Sequence, residues 1–377
     1  MGILVSSVVI ILHSNYEILC VRCGRRRSNT LAYRCEHCGG ILQVRINKDF
    51  SVKDIIKEEY SLWRYRNFYP YINEDSIISL GEGLTPHIKF SKDLYLKLEY
   101  MNPTGSFKDR GSSVLISAIK ELIGPETFIA EDSSGNAGAS IAAYAAFAEI
   151  RARIYVPENV SGRKFEQIRA YGAEITKVSG ERVKITEEAM KQERNKVYIG
   201  HVYHPIFRDG IRTLAYEIYE QLGFKAPEII FLPVSAGTLL MGVIDGFVHL
   251  KESDAIEALP RIIACQTEQV SPLYHALKGR EYKPKKKIKS IADALISTDP
   301  PLLEPMIEKM KRIDGDAVIV NEREILEAYW KLAKKGIFIE PSSAVAYAGY
   351  QKYEGKRKNA VVILTGNGLK TELLSKK

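Results

Sequence analysis

Two groups of residues in this 377-residue chain have types and spacing that can do chemistry: a set of cysteines near the N-terminus and a dispersed set of lysine, serine, asparagine and threonine side chains. Cys20, Cys23, Cys35 and Cys38 form C-x2-C-x11-C-x2-C, while Cys265 stands alone within Arg261-Ile-Ile-Ala-Cys-Gln. Two such knuckles a short hairpin apart offer four thiolates to a tetrahedral Zn2+. Gly24, Gly39 and Gly40 follow the pairs and let the backbone turn tightly around a metal. No strand–helix pattern surrounds either pair, which argues against a thiol redox motif. A disulfide pairing fits poorly with a chain that reads as cytoplasmic. The expectation is a zinc ribbon whose metal is structural, because all four coordination positions are filled by protein. Cys265 reads as a small buried apolar residue.

The second group falls at three junctions where a strand gives way to a helix, the place where open α/β sheets bind ligands. In Asn102-Pro-Thr-Gly-Ser-Phe-Lys108-Asp-Arg-Gly111, Pro103 and Gly105 mark a loop and Ser106 is placed to cap a helix running to Ile123. Lys108 then lies in the first turn, where the helix dipole opposes its charge and favours the neutral amine that Schiff-base chemistry requires. Taken alone, it reads better as one of many solvated lysines. In Ser133-Ser134-Gly135-Asn136, hydroxyls and backbone N–H groups make an anion cradle suited to a carboxylate, or simply an N-cap. In Pro233-Val-Ser235-Ala236-Gly237-Thr238, glycine and threonine open a helix whose N-terminus suits a phosphate monoester. A fourth junction, Leu364-Thr365-Gly-Asn-Gly368, sets a hydroxyl beside a turn.

The elements that must position these residues are legible as short β-branched runs alternating with helical patterns. Phe128 to Ala130, Ile154 to Val156, Ala173 to Val178, Glu228 to Val234, Ile262 to Gln266, Ala317 to Val320 and Ala360 to Leu364 read as strands. Helices are expected over 137–149, 163–171 and 185–194, with a further one ending at Gly336 and capped by Asn321 and Glu324. Such alternation predicts an α/β fold with mainly parallel sheets covered on both faces. Lys283 to Lys287 reads as an exposed linker. Hydrophobic content of 45% and charged content of 27% exclude disorder and fibrous repeats. No apolar run reaches the ~18 residues of a membrane span. The longest, Gly2 to Leu12, makes a poor signal peptide, and Met1-Gly2 with Ser6 matches the myristoylation pattern only loosely. Net charge is +8, concentrated in Arg22, Arg25, Arg26, Arg27 and Arg34 and in Lys283 to Lys289. This admits a solvated surface or attraction to anions, nucleic acid included.

The order Gly81-Glu-Gly-Leu-Thr85-Pro, NPTGSFKDRG, SSGNAGAS, PVSAGTLL, Gly336-Ile-Phe-Ile-Glu-Pro-Ser-Ser343-Ala and TGNGLK resembles the fold-type II pyridoxal-phosphate enzymes. Their fold is tryptophan synthase β-like, and within them the chain resembles threonine synthases bearing an N-terminal zinc ribbon, over nearly its whole length. The resemblance implies a ribbon at 1–48, a large cofactor-binding domain at 49–110 and 205–377, and a small mobile domain at 111–204. Pyridoxal 5'-phosphate would be carried on Lys108. Asn136 would face the ring hydroxyl, Ser235, Ala236, Gly237 and Thr238 would hold the cofactor phosphate, and Thr365 would face the pyridine nitrogen. A hydroxyl there does not force that nitrogen to be protonated, which suits elimination and replacement better than transamination. Thr85, Ser133 and Ser134 would grip the amino-acid carboxylate. The implied reaction is a carbon–oxygen lyase reaction: O-phospho-L-homoserine and water give L-threonine and phosphate, by γ-elimination and β-addition in a homodimer.

Two departures are visible. Ser235-Ala236 stand where many relatives have Gly-Asn. His204 precedes Pro205 where relatives carry asparagine, and Arg208 follows one turn later, either gripping the substrate phosphate or holding an interface ion pair. The alternatives are cysteate-synthase-like replacement on phosphoserine, serine/threonine dehydration, and, from another class, nucleic-acid binding by the arginine-rich ribbon.

Overall fold

The computed structural model describes residues 15–27 and 29–375. The apolar Gly2 to Leu12 segment and the myristoylation-like start lie outside the described residues. Three sheets organise the described residues. The first is antiparallel: β1 (Tyr16–Cys20) lies between β2 (Arg26–Arg27) and β3 (Leu42–Ile46), with Cys20 opposite Leu42. Its alternating pattern buries Ile18, Leu42 and Val44 in the same core as Phe50, Trp63 and Phe207, so the ribbon is packed onto the rest of the chain.

The chain then forms a hairpin, β4 (His87–Ser91) and β5 (Leu94–Lys97), and enters α1 (Lys108–Ile119). Three crossovers follow: β6 (Phe128–Glu131), α2 (Asn136–Phe147), β7 (Arg151–Pro157), α3 (Arg163–Ala170), β8 (Glu174–Val178), α4 (Arg182–Met190) and β9 (Lys196–Tyr198). They build a parallel sheet of order β8-β7-β6-β9. The helix α2 sits directly on the turn that precedes it. A Cβ at Gly138 would stand 1.8 Å from the Ser133 carbonyl oxygen, so only glycine permits that approach.

Helices α5 (Pro205–Ile211) and α6 (Thr213–Gln221) lead into the larger sheet. Its remaining parts are β10 (Ile229–Pro233), α7 (Thr238–Glu252), β11 (Arg261–Thr267), α8 (Pro272–Leu277), α9 (Leu303–Arg312), β12 (Asp316–Val320), α10 (Glu322–Ala333), α11 (Pro341–Lys352) and β13 (Ala360–Ile363). The order is β12-β11-β10-β13-β5-β4, parallel except for the β4 edge. Every residue of β10 and β13 is buried, as expected for strands covered on both faces.

Most expected strands and helices are present within a few residues. Asn321 and Glu324 form the anticipated reciprocal cap: Asn321 Oδ1 accepts from Glu324 N at 2.9 Å and Glu324 Oε2 accepts from Asn321 N at 2.8 Å. Lys283 to Lys287 is exposed, and Cys265 is a fully buried thiol, pushed up by burial. Three details differ. Ser106 does not cap α1; its Oγ is buried without a partner, and the N-cap residue is Phe107. That helix ends at Ile119, with only a 3-10 turn over Lys120–Leu122 beyond it. The helix expected over 185–194 is α4, shifted toward the N-terminus.

Candidate functional site

The loop before α1 is fastened to the end of β13 by backbone pairing. Phe107 N donates to Thr365 O at 3.1 Å and Asn367 N donates to Gly105 O at 3.0 Å. Thr365 is itself fixed, its N–H donating to Ser343 Oγ at 2.7 Å. This places Lys108 and Thr365 on one seam. Lys108 is half-buried, with Nζ 3.3 Å from Thr238 Oγ1, the first residue of α7. Its Nζ also lies 5.0 and 5.7 Å from the ring centroids of Phe107 and Phe207. Loss of water around the amine lowers its pKa to about 8, against the opposing pull of the Glu131 carboxylate. Lys108 therefore offers a usable fraction of free amine near neutral pH.

Thr238 ties this lysine to the third junction. Gly237 adopts a left-handed φ of +100°, which turns the chain into α7 with its first N–H groups leading the helix. Ser235 Oγ accepts from Ser297 N at 3.4 Å, which secures the loop from the other side. The loop Ser235–Thr238 thus presents a helix N-terminus beside the Lys108 amine, an arrangement suited to an anion.

The second junction contributes Ser133, Ser134 and Asn136, which follow β6. Gly135 N donates to Ser133 Oγ at 3.3 Å. Asn136 Nδ2 donates to both Glu340 oxygens, at 3.1 and 3.0 Å, while its Oδ1 is buried without a partner. Glu340 is buried and its carboxyl is raised by burial; Lys164 lies 3.4 Å away and bridges on to Asp293. The orphaned Asn136 Oδ1 and Ser106 Oγ are what a polar ligand seated in this seam would satisfy. The donor set fits a ligand with an anionic group and a carbonyl able to take an amine.

Two expected substrate contacts have other duties. Thr85 is buried; its hydroxyl donates to Glu99 Oε1 at 2.6 Å and its carbonyl accepts from Lys97 Nζ at 2.6 Å. It belongs to a buried network in which Arg110 grips Glu99 through two 2.7 Å hydrogen bonds and meets Glu217 at 2.8 Å, while Lys97 also pairs with Glu217. Arg208 is engaged with the main chain, and no salt bridge to it is found among the described residues. Its guanidinium donates to the carbonyls of Val202, Tyr203 at 3.0 Å and, from the ribbon, Leu42. Those directed main-chain contacts occupy the fork that a phosphate would need.

The sequence reading missed a buried pair next to the seam. Glu131 ends β6, and His201 follows β9; His201 Nδ1 lies 2.7 Å from Glu131 Oε1 and its backbone N–H donates to Glu131 Oε2 at 2.9 Å. The available signal was an acid closing the otherwise apolar Phe128-Ile129-Ala130 run, two residues before the Ser133 turn.

In the ribbon, the sulfurs of Cys20, Cys23, Cys35 and Cys38 all lie within 4.8 Å of one another. The pairs Cys20–Cys38 and Cys23–Cys35 are 3.5 and 3.7 Å apart, close to the ~3.8 Å edge of a tetrahedron with ~2.3 Å Zn–S bonds. A Cβ on Gly40 would stand 2.8 Å from Cys20 Sγ, so the backbone must pass the sulfurs bare. Arg27 Nη2 donates to Cys35 Sγ at 3.3 Å and holds that thiol down to about 5, favouring thiolate. The basic cluster is partly used up locally: Arg26 pairs with Glu17 at 2.5 Å, and Arg34 stacks 4.5 Å over the Tyr203 ring. Among the described residues no helix is long and apolar enough to cross a membrane.

Comparison with known proteins agrees with this geometry. A family model described as "Pyridoxal-phosphate dependent enzyme" matches residues 78–366. The threonine synthase of Methanocaldococcus jannaschii is 32% identical over 375 residues, covering 93% of this chain and 92% of that one. The threonine synthase of Methanosarcina acetivorans is 32% identical over 94% of this chain and 92% of its own. Among solved structures, serine racemase from Dictyostelium discoideum matches with a TM-score of 0.63 at 27% identity, covering 75% of this chain and 92% of that one. A fungal L-serine ammonia-lyase from Rhizomucor miehei matches with a TM-score of 0.65 at 24% identity, over 76% of this chain and 94% of that one.

Proposed function

Because the chain belongs to the pyridoxal-phosphate-dependent enzyme family, we propose that it is a threonine synthase, a lyase converting O-phospho-L-homoserine and water to L-threonine and phosphate. The observation that carries this reading is the single seam in which the Lys108 amine, the Ser235–Thr238 helix start, Asn136 and Thr365 converge. Relatives named threonine synthase, aligned over more than nine-tenths of the chain, support the choice of reaction.

Pyridoxal phosphate, when bound, supplies the electron sink that stabilises negative charge at the substrate's α-carbon. The residues present would hold it through Lys108, the backbone amides of Ser235, Ala236, Gly237 and Thr238, the Asn136 amide and the Thr365 hydroxyl. The Lys108 amine, free to a useful degree near neutral pH, serves first as nucleophile and then as the base that takes the α-proton. Ser133, Ser134 and the N–H groups leading α2 orient the substrate carboxylate. The small sheet and its helices, residues 111–204, are assigned the role of lid, closing on the large sheet to exclude water. The four cysteines hold a structural Zn2+, and the enzyme works as a homodimer.

Arg208 favours a second reading. With its guanidinium on main-chain carbonyls, the expected phosphate grip is vacated, and a serine/threonine dehydratase acting on an unphosphorylated hydroxyl becomes the competitor. Incubating the enzyme with phosphohomoserine, phosphoserine, serine and threonine separates them. Phosphate with threonine from the first substrate alone supports the synthase. Phosphate from phosphoserine alone points to a β-replacement enzyme, and keto acid with ammonia from serine or threonine points to the dehydratase.

A further inference from the structure

The ribbon has no part in the reaction above, yet its outer strand is docked on the helix that faces Lys108. β3 is the edge strand of its sheet, so one side of its backbone has no strand partner. Carbonyls two residues apart on a strand point the same way, ~6.7 Å apart. Residues four apart on a helix are separated by ~6 Å along its axis. The two repeats match, and the structure uses the match. Arg208 Nη2 donates to Leu42 O, and Arg212 Nη2, four residues on, donates to Val44 O at 3.3 Å. Arg212 follows α5 with helical backbone angles.

Other ribbon residues hold the chain just before α5. The Arg34 guanidinium stacks 4.5 Å over the Tyr203 ring, and the Tyr33 ring lies 6.5 Å from Tyr203 and 4.9 Å from Tyr198 of β9. Arg208 ties the two attachments together, because its Nη1 donates to the carbonyls of Val202 and Tyr203. The chain leaving β3 is fastened as well. Lys48 O lies 2.8 Å from His249 Nε2 in the last turn of α7, and Phe50 N donates to Ser253 Oγ at 2.8 Å just beyond it.

The remaining faces of α5 meet the two helices that carry the site. Towards α1, a Cβ at Gly111 would stand 2.6 Å from the Phe207 ring, and Lys108 Nζ lies 5.7 Å from the centroid of that ring. Towards α7, a Cβ at Gly242 would stand 2.8 Å from the Arg208 carbonyl oxygen. Contacts this close leave α5 little room to shift without moving its neighbours. Lys108 opens α1 and Thr238 opens α7, with Nζ and Oγ1 3.3 Å apart. A helix of seven residues is too short to hold its place by its own hydrogen bonds, so its position is set by what packs around it.

We propose that the ribbon is a positioning module for the reaction: Leu42, Val44, Tyr33 and Arg34 hold α5, and α5 holds Lys108 of α1 against Thr238 of α7 at the spacing the cofactor needs. These ribbon residues act through Phe207 and the α5 backbone, and none of them is a catalytic residue.

The inference rests on Lys108 being the cofactor lysine, and the test separates the two claims. Hydrogen–deuterium exchange is followed in the holoenzyme over 108–113, 205–212 and 360–363, and the Kd for pyridoxal phosphate is measured from the visible absorbance regained by apoenzyme. In Arg208→Ala, and in the double variant Tyr33→Ala/Arg34→Ala, exchange over 108–113 and 205–212 is expected to rise roughly fivefold while 360–363 in β13 is unchanged. The cofactor Kd is expected to rise about tenfold. Arg208→Lys keeps a cation but not the fork, and should fall between wild type and Arg208→Ala. The double variant changes a half-buried and an exposed side chain, and it serves if Arg208→Ala does not accumulate as folded protein. Either readout unmoved in the folded variants overturns the inference and leaves the ribbon an attachment only. A visible band that persists in Lys108→Ala overturns the reading on which the inference rests, and the inference with it.

Discussion

Two buried charge clusters each draw on the first turn of α1, Arg110 in one and Lys108 in the other, and they differ in how closely their charges pair. In the first, Lys97 and Arg110 contact Glu99 and Glu217 directly, two cations against two anions, all fully buried. Burial alone would raise the Glu217 carboxyl, but Arg110 and Lys97 together hold it down to about 2. In the second, no direct ion pair joins Lys108 to Glu131 among the described residues, the Asp132–Arg182 pair also acts on the Glu131 carboxylate, and the two groups are brought to about 8 and about 7. A balanced cluster locks its protons and behaves as scaffold. A loosely paired one leaves protons exchangeable in the working pH range, which is what acid–base chemistry needs.

The sharpest way to break that contrast is to unbalance the first cluster. Glu217→Ala leaves Arg110 and Lys97 without their shared carboxylate and is expected to destabilise the fold by about 3–5 kcal/mol, read by denaturant titration. A loss below ~1 kcal/mol would show that the cluster tolerates an unpaired charge and that the distinction is wrong. The second cluster should answer through pH instead. Glu131 is raised above an unfolded carboxyl, so folded protein binds the extra proton, and stability is lost as pH rises from about 4.5 to about 7. E131Q removes that slope; relative to wild type it should gain roughly 2–3 kcal/mol across the window. Parallel pH–stability curves for the two proteins would contradict the assignment.

Arg208 sharpens the comparison from a third side, because it is a buried cation whose acceptors are carbonyls rather than carboxylates. Arg208→Ala is expected to cost about 1–3 kcal/mol of stability and to leave KM for a phosphorylated substrate unchanged within about twofold. A tenfold rise in KM at constant kcat would return it to substrate binding. A smaller effect is expected at the ribbon. Chelation should free the backbone around the already exposed Arg22, Arg25 and Arg26 and accelerate tryptic cleavage there by roughly tenfold, through local opening rather than global unfolding. Unchanged cleavage would mean that the cysteines hold no structural metal.

What could be read in the sequence follows a physical line. Strand–turn–helix junctions are local, so the turns before Lys108, at Ser133–Asn136 and at Ser235–Thr238 are legible as junctions from composition and spacing, and so is the Asn321–Glu324 cap; the roles of their residues come from the family resemblance. The four cysteines also carry their meaning in their spacing. Partners brought together by sheet pairing are not local. Glu131 meets His201 across 70 positions, and Arg110 meets Glu99 and Glu217 only once the turn after β5, α1 and α6 are packed. Periodicity tells which face of an element is buried but not which charge awaits it there. Thr85 and Arg208 show this: each has the right chemistry for an anion, and each also makes a long-range contact that its local sequence does not announce, Thr85 with Glu99 and Arg208 with the ribbon carbonyl of Leu42. Ser106 fails as a cap because the loop is instead held by pairing with Gly366.

The most direct test of the whole account is reductive trapping. Holoenzyme is treated with borohydride, digested and mapped by mass spectrometry, alongside Lys108→Ala. A pyridoxyl group on the peptide containing Lys108, absent from the variant together with its visible absorbance, is the predicted result. A pyridoxyl group on any other lysine, or a variant that keeps the absorbance, would contradict it.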